Sequence, residues 1–136
     1  MREIKFRAWD ENSQEMIYEI GITPEGIPYS IPDNAEASDQ FNYYPSCHKM
    51  QYTGLKDRQG RMIYEKDIAE ESYINPMTGK NVVDRYVIEW ENGIHKMKYI
   101  GNQKGMDRYL WMRLDEIEVI GDVYRNPELL GAAEEC

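Results

Sequence analysis

From Met50 to Ile68 the chain runs through Gln51-Tyr52-Thr53-Gly54-Leu55, then Lys56-Asp57-Arg58-Gln59-Gly60-Arg61, then Met62-Ile63-Tyr64. The middle string has the polar residues and terminal glycine of a turn, and both flanks have strand character. A strand, a turn and a second strand thus fit within nineteen residues, which points to short antiparallel strands as the building unit.

The rest of the chain repeats that theme. Ile4, Phe6 and Ala8 alternate with Lys5, Arg7 and Trp9, the period-two signature of a strand with one buried face. A polar stretch over residues 10–15 leads into Met16-Ile17-Tyr18-Glu19-Ile20, so the start reads as a β-hairpin with a longer loop. Residues 68–74 lead to the turn string Asn75-Pro76-Met77-Thr78-Gly79, after which Tyr86, Ile88 and Trp90 alternate with Arg85, Val87 and Glu89. Asn92-Gly93 marks a type I′ hairpin into Ile94-His95-Lys96-Met97-Lys98-Tyr99. Tyr109-Leu110-Trp111-Met112 and residues 117–124 read as further strands. Five or so short strands in about seventy residues predict a small closed barrel, since closure removes exposed edges. Asn126-Pro127-Glu128-Leu129-Leu130 supplies a cap, a proline at the first helical position and an acid in the first turn, so a short C-terminal helix follows.

Residues 21–46 break the pattern. Pro24, Pro28, Pro32 and Pro45 each lack a backbone donor, and Gly21 and Gly26 loosen the chain, so a long proline-rich excursion is expected. Tyr29, Phe41, Tyr43 and Tyr44 argue that it is clamped to the body by its rings, because aromatic residues at this density pack on something.

At 136 residues the chain holds one core or two very small ones. Its net charge of −9 is uneven: residues 1–7 carry +2, residues 8–48 carry −8 without a single Lys or Arg, and residues 49–136 carry −3. An acidic front repels phosphate backbones and favours solubility or basic partners. The first residues alternate charge with apolar side chains, unlike a signal peptide. No apolar run approaches the roughly 18 residues of a membrane-spanning helix. A soluble, cytoplasmic protein without membrane association is therefore expected. Cys47 and Cys136 are too few for a disulfide scaffold and read as free thiols.

Three blocks stand out together: Ile4-Lys5-Phe6-Arg7-Ala8-Trp9-Asp10, Met50 to Ile68, and Val119-Ile120-Gly121-Asp122-Val123-Tyr124-Arg125-Asn126-Pro127-Glu128-Leu129-Leu130. In this order they resemble the YopX family, small proteins carried by phages and prophages of bacteria, chiefly Gram-positive ones. The resemblance implies a mainly β, α+β architecture: a small N-terminal α+β portion beside a C-terminal barrel similar to SH3-like domains. The division expected on this reading is residues 1–62, including the acidic excursion, and residues 63–136. Relatives tend to have glycine where Lys66 stands. If that glycine serves a positive φ, Lys66 must strain or adopt another turn.

No catalytic or cofactor signature is present. Cys47-His48 is the one adjacent thiol and imidazole, but neighbouring strand positions point to opposite faces and no orienting Asn or Asp is identifiable. Cysteines and histidines at 47, 48, 95 and 136 lack zinc-site spacing, and His95 is expected at a barrel rim beside Met97 and Tyr99. Acidic runs at Glu70-Glu71, at Asp115-Glu116 with Glu118, and at Glu134-Glu135 would need a cleft and a raised pKa to do acid–base work, and a solvated face is the plainer reading. Gly54, Gly60, Gly101 and Gly105 form no phosphate-cradling loop.

The expected function is accordingly non-enzymatic, with no cofactor or metal. The chain reads as a phage or prophage accessory protein, a protein-interaction module and a candidate homo-oligomer. It would offer Tyr29, Phe41, Tyr43, Tyr44, Trp90 and Trp111 to a phage or host protein, as aromatic enrichment at interface cores suggests. The alternative is a nucleic-acid-binding regulator, in which barrel aromatics stack on bases and Lys96, Lys98, Lys104 and Arg108 hold phosphates.

Overall fold

In a computed structural model, which describes residues 3–101, 105 and 107–132, the protein is mainly β, with antiparallel strands and one short helix. It divides into two compact units, Met1–Tyr52 and Thr53–Cys136. Among the described residues no helix is long and apolar enough to cross a membrane.

The N-terminal unit holds β1 (Phe6–Asp10), β2 (Glu15–Ile22), β3 (Pro28–Ser30), β4 (Asn42–Tyr43) and the first part of β5 (His48–Lys56), in the order β4-β3-β2-β1-β5. The β1–β2 hairpin is the one the alternation predicts. Asp10 Oδ1 accepts from the Asn12 backbone N–H at 3.0 Å, an Asx turn that starts the loop. Tyr18 and Glu19 together face Arg7, a bulge in which Glu19 takes φ 57°. One buried face was expected for β1, yet Arg7, Ala8 and Trp9, consecutive along this central strand, are all buried.

The excursion is more ordered than its prolines suggest. Tyr29 pairs with Gly21 on one side and Tyr43 on the other, so residues 28–30 and 42–43 extend the sheet. Tyr29 stacks on Phe41 with centroids 5.6 Å apart, and the Tyr44 hydroxyl shares a 2.8 Å hydrogen bond with Ser30. These rings pack the segment against itself, whereas the expected clamp was to the body of the protein. Gly21 is required, because a Cβ there would meet the Tyr29 ring at 2.5 Å. Among the described residues this unit has no α-helix, only a 3-10 turn at Ser38–Gln40, so the α+β expectation for the N-terminal portion reduces to β.

The second unit opens with the rest of β5, which pairs with β6 (Met62–Tyr64) across the polar turn. There follow β7 (Asp67–Ile74), β8 (Asn81–Glu91), β9 (Ile94–Tyr99), β10 (Arg108–Tyr109), β11 (Ile117–Asp122) and α1 (Glu128–Ala132). The five strands from β7 onward form a sheet in the order β10-β9-β8-β7-β11. Asn92 and Gly93 take φ 53° and 82°, the type I′ geometry expected of that dipeptide. Ile63, Ala69, Tyr86, Ile88, Met97, Leu110 and Ile117 make the core, flanked by Leu55, Tyr99, Leu114 and Val119.

Two expectations need correction here. The sheet order ends on β10 and β11, which do not pair among the described residues, so the strands do not close into a barrel. Residues 109–112 are not a strand throughout: Leu110–Met112 form a 3-10 turn that drops Leu110 into the core, because the apolar anchor outweighs the ladder.

Lys66 does take a positive φ, 70°, at the turn from β6 into β7. Its backbone is held on both sides: its N–H donates to Ile88 O at 2.8 Å, and its carbonyl accepts from Val123 N–H at 3.0 Å. Its Nζ reaches both carboxylate oxygens of Glu89 at 2.8 Å. Glycine would relieve about 1 kcal/mol of left-handed strain, against roughly 0.5–1 kcal/mol of added unfolded-state freedom and a half-exposed ion pair worth under about 1 kcal/mol. Lys66→Gly is therefore expected to lie within about 1 kcal/mol of the wild type in urea unfolding, while Lys66→Val costs about 2 kcal/mol. A glycine variant that loses more than the valine variant would contradict this account.

Candidate functional site

The sequence-derived candidates disperse in the structure. Burial, and then the charge of Asp10, push the Cys47 thiol above its ordinary value, away from thiolate reactivity. His48 Nε2 lies 2.9 Å from Glu11 Oε1 on the exposed side of its strand. His95 sits on Glu65 at 3.1 Å and edge-on to Trp90, with ring centroids 4.7 Å apart. No group of three His, Cys, Asp or Glu among the described residues is arranged to hold a metal ion.

Of the six aromatics singled out, Tyr29, Phe41 and Tyr44 are half-buried and used in packing, whereas Tyr43, Trp90 and Trp111 are exposed. Tyr109, one of the rings of the nucleic-acid alternative, is exposed as well, as is Met112, which the sequence did not single out. The two described lysines among the basic candidates are engaged by acids. Lys96 reaches Glu91 at 3.4 Å and lies over the Tyr109 ring, 5.9 Å from its centroid. Lys98 pairs with the same Glu91 and lies 3.7 Å from Asp107. Arg108 donates Nη1 to the carbonyls of Gly105 and Asp107 at 3.3 and 3.1 Å. Lys104 lies outside the described residues.

What the sequence reading did not assemble is a polar cleft of about 420 Å³ in the second unit, lined by Glu71, Ser72, Tyr73, Asp84, Arg108, Arg113 and Glu116. Strand register builds it. Ala69 pairs with Tyr86 and Glu71 with Asp84 across β7 and β8, while Ile117 of β11 faces Glu71 from the other side. The face that carries Ala69, Tyr86, Ile88 and Ile117 in the core therefore turns polar at Glu71 and Asp84. Arg113, just past the 3-10 turn, donates Nη1 to Glu71 at 3.4 Å and to Glu116 at 2.8 Å.

The electrostatics follow from that burial. Glu71 is only 5% exposed, and burial, reinforced by a hydrogen bond to Glu116, lifts its carboxyl above the ordinary range despite Arg113. Glu116 goes the other way, held down chiefly by Arg113. Burial also raises Asp84, with Arg108 opposing. Tyr86 beneath them is fully buried, its phenol is pushed up to about 12 by burial and then by Glu71 and Asp84, and its hydroxyl has no hydrogen-bond partner among the described residues. A signal for the cleft was present in the sequence: Glu71 and Asp84 occupy the same strand parity as the core residues Ala69 and Tyr86.

A raised Glu71 binds a proton in the folded state at pH values where the unfolded chain, near the ordinary 4.5, has already lost it. Its contribution to stability is thus present at low pH and lost as the pH rises through the folded value. Glu71→Gln keeps the shape and removes the titration. The variant should gain on the wild type as the pH climbs from 4.5 toward neutrality, measured as urea midpoints at successive pH values. A wild-type-to-variant difference that stays constant over that interval would refute the assignment.

Comparison with known proteins bears on this chain as a whole. Its fold is similar to the crystal structure of protein EF1440 from Enterococcus faecalis, with a TM-score of 0.60 and 24% identity over 96% of this chain and 99% of that one. No significant match is found among curated proteins. The family model described as YopX protein matches residues 5–131, nearly the whole length, and takes in the three sequence blocks apart from Ile4. The chain belongs to the YopX protein family.

Proposed function

We propose that this protein is a non-enzymatic protein-interaction module, a phage or prophage accessory protein acting in the cytoplasm of a bacterial host. The observation that carries this reading is the contrast between rings and cations in the second unit. Trp90 and Trp111 remain 55% and 64% exposed, as interface anchors are in the free state. Lys96 and Lys98, which a nucleic-acid backbone would need, are engaged by Glu91 and Asp107. A phosphate would have to displace those carboxylates from a chain of net charge −9.

We read the second unit as a relative of SH3-like domains. Numbered from β7, its strand order is last-first-second-third-fourth, with a 3-10 turn before the last strand, which supports that reading without ring closure.

The test pairs two experiments on the full chain. A gel-shift titration with single- and double-stranded DNA and RNA at low salt is expected to give no tight complex, and binding that weakens steeply with salt would replace this reading with the nucleic-acid one. Affinity capture from host cells, with and without phage induction, should recover a protein that Trp90→Ala and Trp111→Ala lose. Recovery of only the chain itself, with sedimentation showing a defined oligomer, would make the partner a second copy.

A further inference from the structure

We propose that the cleft between Glu71, Asp84 and Tyr73 is a receptor for a guanidinium group, an arginine side chain presented by the protein partner. The proposal rests on the reading of the chain as an interaction module and names the chemistry of one contact.

The charge balance favours a cation. Three carboxylates line the cleft against two guanidinium groups, and both guanidiniums are already engaged. Arg113 is spent on Glu71 and Glu116, while Arg108 donates Nη1 to two backbone carbonyls. Asp84 is left without a hydrogen bond or ion pair to its carboxylate among the described residues, with the charge of Arg108 alone to offset its burial. Such a group, half removed from water, stands to gain from an incoming positive charge.

A second observation points the same way. The Tyr86 hydroxyl is buried and unpartnered, and it lies within the fields of Glu71, Asp84, Arg108 and Arg113, all of which line the cleft. An unmet hydroxyl on the strand that carries Asp84, two residues along, is a rare feature in a folded core. If an entering cation draws the Glu71 or Asp84 carboxylate to a new position, that oxygen or the cation itself can complete the hydroxyl's hydrogen bonding.

The form of the cleft selects among cations. Tyr73 lines it and is 47% exposed, which leaves ring surface for a flat group to stack on. Glu71 and Asp84 are paired across β7 and β8, so both carboxylates rise from the same face of adjacent strands. A planar fork of N–H donors that stacks on an aromatic ring and is weakly hydrated suits this arrangement better than a compact, strongly hydrated ammonium. The volume, about 420 Å³, falls among small-ligand clefts, roughly 300–1,000 Å³.

The probe is Nα-acetyl-arginine amide, titrated into the 15N-labelled full chain, with the lysine and glutamate counterparts as controls. The arginine compound should shift the amides of Glu71, Ser72, Tyr73 and Asp84 saturably in the millimolar range, the lysine compound should bind more weakly, and the glutamate compound should leave those amides unmoved. Asp84→Asn should weaken arginine binding roughly tenfold, by loss of one charge-assisted contact, and Tyr73→Ala several-fold, each with an otherwise unchanged spectrum. Absence of saturable shifts, equal binding by Asp84→Asn, or binding of the glutamate compound in place of arginine would overturn the proposal. The two readings fail separately. A partner captured equally well by Asp84→Asn sinks the arginine receptor and leaves the module, whereas arginine binding with no captured partner sinks the module and leaves the receptor.

Discussion

Asp57→Ala is expected to lower the stability of the protein by about 3–4 kcal/mol, the range for losing a buried, multiply hydrogen-bonded carboxylate. Asp57 is only 6% exposed at the start of the polar turn after β5. Its Oδ1 accepts from the backbone N–H groups of Gln59 and Arg61, both at 2.9 Å, and its Oδ2 accepts from Val119 N–H at 2.8 Å. One side chain therefore closes the turn and fastens it to β11. The neighbouring Arg58 N–H donates to Ile117 O at 3.1 Å, a second tie to the same strand. Alanine leaves three N–H donors to find water, and Val119 lies in a partly buried strand where water is least available. Asp57→Asn keeps one acceptor oxygen and should lose only about 1–2 kcal/mol, since its amide NH2 faces one donor instead of accepting from it. Urea unfolding of the three proteins decides the matter. A loss under 1 kcal/mol for alanine would mean that the turn is held by its backbone bonds, Asp57 N–H to Arg61 O and Gly60 N–H to Asp57 O, and not by the carboxylate.

Asp122→Ala should be nearly as costly, about 2–4 kcal/mol, and its effect should be local to the end of the chain. Asp122 is fully buried at the end of β11. Its Oδ1 takes the N–H groups of Tyr124 and Arg125 at 3.0 and 2.8 Å, and its Oδ2 takes Arg125 Nε at 2.6 Å. The turn so formed brings Asn126 back to the strand, where its Oδ1 accepts from Asp122 N–H at 3.2 Å. That return explains Gly121, because a Cβ at that position would meet Asn126 Oδ1 at 2.4 Å. Hydrogen exchange at Tyr124 and Arg125 should accelerate in the alanine variant well beyond exchange at β8 amides such as Tyr86. Arg125→Ala, by contrast, leaves both backbone donors on Asp122 and should cost about 1 kcal/mol, as loss of a half-exposed ion pair does. Uniform acceleration across the whole unit would mean that Asp122 supports global stability and not this turn.

Both aspartates belong to the sequence blocks that mark the family, and each organises backbone. The regularity from Met50 to Ile68 is that of a turn docked on β11, and the Gly121 to Pro127 string is that of a strand end folding back into a helix. The family's most recognisable residues are scaffold, while the cleft is lined by Glu71, Asp84 and Arg113, none of which lies in those blocks.

What was legible followed from rules acting over a few residues. Asn92-Gly93 dictates a type I′ turn because both positions need positive φ, and alternation in residues 3–9 and 16–20 dictates a hairpin. Lys66 is the instructive intermediate. Its positive φ was implied by glycine in relatives, but that the backbone holds it there through Ile88 and Val123 depends on β8 and on the end of β11. The excursion was less legible, because proline and glycine content marks local irregularity, whereas the pairing of Tyr29 with Gly21 and Tyr43 depends on rings and strands brought back from a distance.

By itself, then, the chain's order of residues determined the mainly β character, the positions of most turns, the acidic front and the family. Tertiary structure decided which polar residues lie together. Arg113 meets Glu71 across 42 positions of sequence only because β11 pairs with β7 and the 3-10 turn at Leu110–Met112 is anchored in the core. It also decided charge state and availability: burial raises Glu71 and Asp84, and Glu91 and Asp107 occupy lysines that sequence alone leaves free. The physical reason is one of range. Backbone conformation is set by neighbours along the chain, whereas desolvation and ion pairing are set by whatever the fold brings within a few ångströms.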